Sequence, residues 1–233
     1  MATYAVNNAQ KLAPTDKTFC DLPPAIADAL EQEALTTSYP TGAVLFAEGQ
    51  VPRGVFIVRR GRVKLSICGS DGRTLILRIV DPGSPMGVAA VVSGRGYEAT
   101  AETQEPSEIS FLRPVDLLRL MRVHGELALW VTQHISQDYA STCREIRDLI
   151  LSDSASEKLA RLLVGWLDQN VTSKNPSQVK LALTHEEIGQ MIGSSRETVS
   201  RLFAGFKKQQ LIQQNGSTLV IPNRVALESL ITA

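Results

Sequence analysis

Thr184-His185-Glu186-Glu187-Ile188-Gly189-Gln190-Met191-Ile192-Gly193-Ser194-Ser195-Arg196-Glu197-Thr198-Val199-Ser200-Arg201 carries two helix starts within twelve residues. In Thr184-His185-Glu186-Glu187 the threonine hydroxyl can accept from the Glu187 N–H while the glutamate reaches back, a capping box. The helix it opens should end near Ile192, with Gly193 in the left-handed conformation that closes helices. Ser194-Ser195-Arg196-Glu197 reads as a second capping box with Ser194 as N-cap, opening a helix to about Lys208. Two short helices on a glycine turn form a helix-turn-helix. Ile188, Ile192, Val199 and Leu202 fall where two crossed helices touch, and Gly189 is small where they come closest. Val199, Leu202, Phe203 and Phe206 make the buried stripe of the second helix.

The opposite face of that helix shows Arg196, Glu197, Ser200 and Arg201, with Lys207 and Lys208 beyond. Arg196/Ser200 and Glu197/Arg201 are i,i+4 pairs and project together. Arginine can donate twice to guanine, and glutamate can accept from cytosine N4. Downstream, Asn215-Gly216 lies between the β-prone runs Leu211–Gln214 and Ser217–Ile221, a hairpin signal. A hairpin directly after a recognition helix makes a winged helix.

The whole chain has 233 residues, 24 Lys+Arg against 24 Asp+Glu, and no net formal charge. Overall neutrality does not exclude DNA, because DNA meets the field of one face. Over residues 194–209, Arg196, Arg201, Lys207 and Lys208 against Glu197 leave +3. Non-specific attraction should then be modest, and base contacts must supply much of the discrimination. A hydrophobic fraction of 43% suffices for cores and excludes wholesale disorder. No apolar run, Val88–Val92 and Leu127–Val131 included, exceeds five residues, far short of the roughly twenty a membrane helix needs. Residues 1–20 have no apolar core and read as no secretory signal. Cys20, Cys68 and Cys143 lack metal or disulfide spacing, and a reducing cytoplasm fits best. With histidine only at 124, 134 and 185, and no triad or phosphate loop, no catalytic or metal site is expected.

Upstream, residues 1–18 read as a polar arm, followed by some helix from Pro24 to Leu35. From 40 to 113 glycines punctuate short β-rich runs at Val44–Ala47, Val55–Arg60, Val63–Cys68, Thr74–Val80, Glu98–Thr103 and Glu108–Leu112. Val63, Leu65 and Ile67 alternate with Lys64 and Ser66, which predicts a core face and a water face. Gly69-Ser70-Asp71-Gly72 suits a hairpin. Such a pattern predicts a sandwich or barrel. Helix follows from Pro114, breaks near Gly125, and runs from Glu126 to about Leu151. Ile135, Tyr139, Thr142, Ile146 and Leu149, spaced 4, 3, 4 and 3, form a heptad seam that suits either a two-chain coiled coil or packing on the chain's own barrel. A hinge at 152–156 and a helix at Glu157–Gln169 complete the reading. The fold class is α+β. An arm spans 1–18, a sandwich or barrel 19–123, a long helix 124–151 and a winged helix-turn-helix domain 152–233.

Residues Leu183 to Arg201 resemble the DNA-binding motif of the Crp/Fnr regulators. Val55-Phe56-Ile57-Val58-Arg59-Arg60-Gly61-Arg62-Val63-Lys64-Leu65 is similar to a strand-turn-strand of that family's cyclic-nucleotide-binding roll, and the likeness extends over roughly 20–222. The resemblance implies a homodimeric transcription regulator, with 19–123 as a jelly-roll (double-stranded β-helix) sensor domain, 124–151 as the dimerisation helix, and double-stranded DNA and RNA polymerase as partners. Thr184, Ser194, Ser195, Arg196, Glu197, Ser200 and Arg201 would be its DNA-binding residues. Arg196, Glu197 and Arg201 would suit TGTGA-like half-sites, whereas Ser200 resembles the branch reading TTGAT-like sites. The effector pocket would fall at Gly87, Val88, Tyr97, Glu98 and Ala99. There Val88 stands where the cyclic-AMP-binding pattern has a ribose-holding glutamate, and Glu98 where it has a phosphate-binding arginine. A carboxylate facing a phosphate is repulsive, so cyclic AMP in the usual mode is disfavoured. Arg78 or Arg95 remains for another anion. Only Cys20 matches the N-terminal cysteine segment of the oxygen-sensing branch, and a four-iron cluster takes four cysteines, so that cofactor is disfavoured too. The effector stays unnamed. A thiol- or haem-responsive regulator, with His134 as one candidate iron ligand, and an effector-independent regulator are the alternatives. The thiols read most simply as small, partly buried side chains.

Overall fold

The computed structural model describes residues 22–151, 154–169, 177–181, 183–216 and 218–231. It comprises two compact units, Pro14–Cys143 and the part from Arg144 onward, so the division falls inside the long helix. Cys20 and the first two residues of the expected hinge (152 and 153) lie outside the described residues.

The first unit begins with α1 (Pro24–Glu33), whose proline sits in the first turn, where its missing N–H costs nothing. The helix stops two residues short of the expected Leu35. Leu35–Tyr39 is instead β1, paired antiparallel from Leu35↔Phe111 to Tyr39↔Ser107, with Thr36 Oγ1 2.8 Å from Ser110 Oγ. The strands β2 (Val44–Phe46), β3 (Val55–Arg60), β4 (Val63–Cys68), β5 (Thr74–Val80), β6 (Pro85–Met86), β7 (Thr100–Thr103) and β8 (Ser107–Leu112) follow. They form two antiparallel sheets ordered β1-β8-β3-β6 and β2-β7-β4-β5, which face each other as a roll.

β3 explains why Val55-Phe56-Ile57-Val58 is apolar without alternation. Phe56 and Val58 point between the sheets with Phe46, Val63 and Ile109, while Val55 and Ile57 point to the helices that cover the outer face. Both faces are buried, and each such side chain contributes roughly 1.5–3 kcal/mol. The β4–β5 hairpin forms as expected, but Ser66 is buried rather than in water. A bulge sits there: Leu65 pairs with Arg78 and Ser66 with Ile76, so Leu77 is extra and the strict alternation breaks.

The covering helices are α1, α2 (Val88–Ser93), α3 (Pro114–Val123) and the first part of α4 (Gly125–Leu151). Ile26, Leu30, Val88, Val91, Leu117, Leu120, Leu127 and Val131 pack together on Val55, Ile57 and Leu112. Arg78 on β5 grips Asp138 of α4 with two hydrogen bonds, at 2.7 and 3.1 Å.

The second unit contains α5 (Ala155–Gln169), β9 (Gln178–Lys180), α6 (His185–Ile192), α7 (Arg196–Lys208), β10 (Gln213–Asn215), β11 (Thr218–Val220) and α8 (Arg224–Glu228). Its core joins Leu159, Leu163 and Leu167 of α5 to Ile188, Ile192, Val199, Phe203, Phe206, Leu219 and Leu227. β10 and β11 are the expected hairpin, and β9 adds a third strand beside β11. Among the described residues no helix is long and apolar enough to cross a membrane.

Candidate nucleic-acid interface and sensor cleft

α6 is capped as its sequence predicts. Thr184 Oγ1 accepts from Glu187 N at 3.2 Å, and Glu187 Oε2 accepts from Thr184 N at 2.8 Å. Gly193 closes the helix at φ 65°. A Cβ on Gly189 would lie 2.5 Å from the Ser194 carbonyl oxygen and 3.5 Å from Arg196 N, so the close approach is to the turn and to the start of the second helix.

The start of α7 differs from expectation by one residue. Ser195, not Ser194, is the N-cap: its backbone is extended and its Oγ accepts from Thr198 N at 3.2 Å. Thr198 therefore holds the N3 position, and there is no reciprocal box with Glu197. Ser194 instead donates its N–H to Gly189 O at 2.8 Å and belongs to the turn.

Arg196, Glu197, Ser200 and Arg201 are all exposed on one face of α7, whose buried side carries Val199, Phe203 and Phe206. The four are not paired with one another as salt links. Arg201 donates to Thr198 Oγ1 at 3.3 Å. Its own N–H and the nearby Ser195 hydroxyl, with Arg196 close by, hold Glu197 below the usual carboxylate pKa and keep it an acceptor. Behind this face, His185 Nδ1 lies 2.9 Å from Ser200 Oγ, and its ring rests 4.6 Å from that of Phe203. Burial, then Lys207 and Arg196, push its pKa down. Lys207 ties the helix to the wing through Gln214 Oε1 at 2.8 Å.

In the roll, the predicted pocket residues divide. Tyr97 is a plug: its hydroxyl donates to Gly54 O at 2.7 Å and accepts from Arg53 N and Gly54 N at 3.0 and 3.1 Å, while its ring stacks on Phe46 at 4.0 Å. Ala99 is buried in the same core, and Val88 joins the core beneath the helices. Gly87 caps α2 at φ 78°, where a Cβ would meet the Tyr97 ring at 2.5 Å. Glu98 alone faces outward, into a cleft of about 640 Å³ lined also by Ala89, Val92, Ser93, Arg95, Gly96 and Ile135. Sequence reasoning missed most of that lining, because the turn of α2 that presents it gives no periodic signal in six residues. Arg78 is occupied by Asp138, so of the two arginines considered for an anion only Arg95 borders the cleft.

His134, the candidate iron ligand, is already engaged. It stacks on Trp130, bonds the Pro85 carbonyl and lies 3.5 Å from Asp138. Cys68 and Cys143 are exposed rather than partly buried. No cluster of three or more metal-ligating side chains occurs among the described residues.

On α4, Ile135 packs into its own unit's core and does not share a free face with Tyr139. Tyr139, Thr142 and Ile146 are exposed, and the Leu149 side chain lies outside the described residues. The exposed positions with 3-4 spacing are Leu129, Thr132, Ser136, Tyr139 and Cys143, and Ile146 continues the interval.

A sheet roll, a long helix and a winged helix-turn-helix with a polar, cation-rich reading face define a DNA-binding transcription regulator. Residues 157–230 match the Crp-like helix-turn-helix domain, and residues 36–124 match the cyclic nucleotide-binding domain. The chain is 27% identical over 184 residues to the cAMP-activated global transcriptional regulator CRP of Haemophilus influenzae, covering 78% of this chain and 82% of that protein. It is 27% identical over 199 residues to the global nitrogen regulator of Synechocystis, covering 84% and 88%. The structure of FixK2 from Bradyrhizobium japonicum superposes with a TM-score of 0.76 at 22% identity, over 86% of this chain and 98% of that one. The protein belongs to the Crp/Fnr family, whose members are transcription regulators and not enzymes.

Proposed function

We propose that the protein is a homodimeric regulator that reads a near-palindromic operator through Arg196, Glu197, Ser200 and Arg201. The observation that carries this is the simultaneous exposure of those four side chains on a helix whose start is capped by Ser195 and whose other face is core. The half-sites resemble TGTGA or TTGAT, and Thr184, Ser194 and Ser195 support the face by holding caps and turn. The unpartnered stripe on α4 supports pairing with a second copy, since small and apolar residues there recur at heptad spacing. Two copies would present recognition helices about 34–36 Å apart, one DNA turn. RNA polymerase is a further partner, and the cytoplasm is the compartment.

The effector differs from cyclic AMP in its usual mode. Val88 is buried and apolar, and Glu98 brings a carboxylate to the cleft, although the Haemophilus relative is named as cAMP-activated. Arg95, Glu98 and the apolar walls of Ala89, Val92 and Ile135 fit a small molecule carrying both polar and apolar parts. A thiol-responsive regulator is the second reading, favoured by the exposure of Cys68 and Cys143.

Selection from randomised DNA, with sedimentation of the free protein, tests the proposal. A two-fold symmetric consensus bound by a dimer is expected. A monomer in solution that selects no consensus would overturn it. Native mass spectrometry and an absorption spectrum of freshly purified protein address the effector.

A further inference from the structure

We propose that His185 is a specificity-determining residue: through its bond to Ser200 it decides whether that serine meets the base edge as an acceptor or as a donor, and protonation of the ring reverses the choice. The inference rests on the reading of α7 as the base-contacting helix.

His185 is the first residue of α6, yet its Nδ1 reaches across to Ser200 Oγ on α7 at 2.9 Å. The ring is held in place by Phe203, a core side chain 4.6 Å away, so the bond does not depend on a floppy side chain. A serine hydroxyl has one proton and two lone pairs. When neutral His185 carries its proton on Nε2, Nδ1 accepts the serine proton, and Oγ offers only lone pairs outward. It then suits the amino groups of adenine or cytosine. An imidazolium can only donate, so Nδ1–H occupies a serine lone pair and frees the hydroxyl proton. Ser200 then suits thymine O4 or guanine O6 and N7.

The surroundings favour the neutral ring in free protein. α7 brings Lys207 and Arg196 near it, and after burial their charges oppose its protonation. Its own helix adds the positive end of the backbone dipole at its first residue. Glu186 and Glu187 are the neighbouring carboxylates, and Glu187 is tied to Thr184. The wing contributes Gln214, which is uncharged and bonded to Lys207.

The test uses the full chain and half-site libraries carrying all four base pairs at each position, at fixed ionic strength, from about pH 5.5 to about pH 8. Ser200→Ala locates the base pair that Ser200 reads, by loss of preference there. At that pair the wild type should move toward thymine or guanine by about threefold or more as pH falls. His185→Phe keeps an aromatic ring beside Phe203, and His185→Asn keeps a polar side chain; neither titrates, and each should bind specifically with a pH-independent preference. A Ser200-dependent preference that stays constant with pH in the wild type overturns this proposal alone. No sequence preference at any pH overturns the reading of α7 as well.

Discussion

Removing one oxygen at Tyr97 should destabilise the roll more than its size suggests. Tyr97→Phe keeps the ring on Phe46 but deletes a hydroxyl that donates to Gly54 O and accepts from two backbone N–H groups. Tyr97 is 2% exposed, so water has little access to the groups left behind. An unsatisfied buried polar group costs about 1–3 kcal/mol. Three such groups, with the Arg53 N–H only partly buried and therefore partly rehydrated, give a loss of about 2–4 kcal/mol. The chain has two tryptophans, Trp130 packed in the roll unit and Trp166 in the other. In a Trp166→Phe background, urea unfolding followed by fluorescence therefore reports the roll. A loss below about 0.5 kcal/mol would refute the argument, since the hydroxyl would then be replaceable by water. The sign with pH gives an independent check. Burial raises the Tyr97 phenol above its ordinary value of 10.0. The folded state then holds a proton the unfolded state releases, so wild-type stability should fall as pH rises through 10 and above, and Tyr97→Phe should lack that component.

Arg196→Ala should weaken the preferred operator by about 1–3 kcal/mol and relax one base position; an equal loss on every sequence, read by fluorescence anisotropy, would make it a phosphate contact instead. Gly189→Ala places a methyl 2.5 Å from the Ser194 carbonyl oxygen and should cost the second unit about 1–3 kcal/mol, visible as a lower unfolding midpoint by Trp166, with weakened operator binding. His134 has its pKa lowered, chiefly by burial, although Asp138 opposes the shift. The unfolded chain takes up this proton first, so stability should fall as pH drops below 6.5 and level off below the folded pKa. His134→Asn should flatten that limb in thermal midpoints of the roll, and an unchanged slope would remove His134 from the account.

The helix-turn-helix and its wing were legible because their signals are local. A capping box joins residues three apart, Gly193 needs only its own left-handed backbone, and Asn215-Gly216 turns a hairpin by itself. The same locality explains the error at α7: two adjacent serines each satisfy the cap chemistry, and only the extended backbone at Ser195 selects one. β1 was hidden because Leu35-Thr36-Thr37-Ser38-Tyr39 is almost wholly exposed and takes its strand character from pairing with β8. The seam on α4 was misjudged at Ile135 for a related reason. Heptad spacing marks an apolar stripe, but which stripe the chain's own roll covers depends on how Leu127 and Val131 seat beneath α1 and α3.

By itself, the sequence determined much of the element order, though not β1, β6, α2, β9 or α8, together with the helix-turn-helix, the wing and the family, since these rest on periodicity and on contacts within one turn of chain. Only the tertiary structure decided that Tyr97 plugs the roll while Glu98 faces the cleft, that Ser66 is buried at a bulge, and that His185 grips Ser200 fifteen residues away. Such facts depend on which way a side chain points once distant segments pack, and the free energy of that packing is shared among many partners. No local pattern records it.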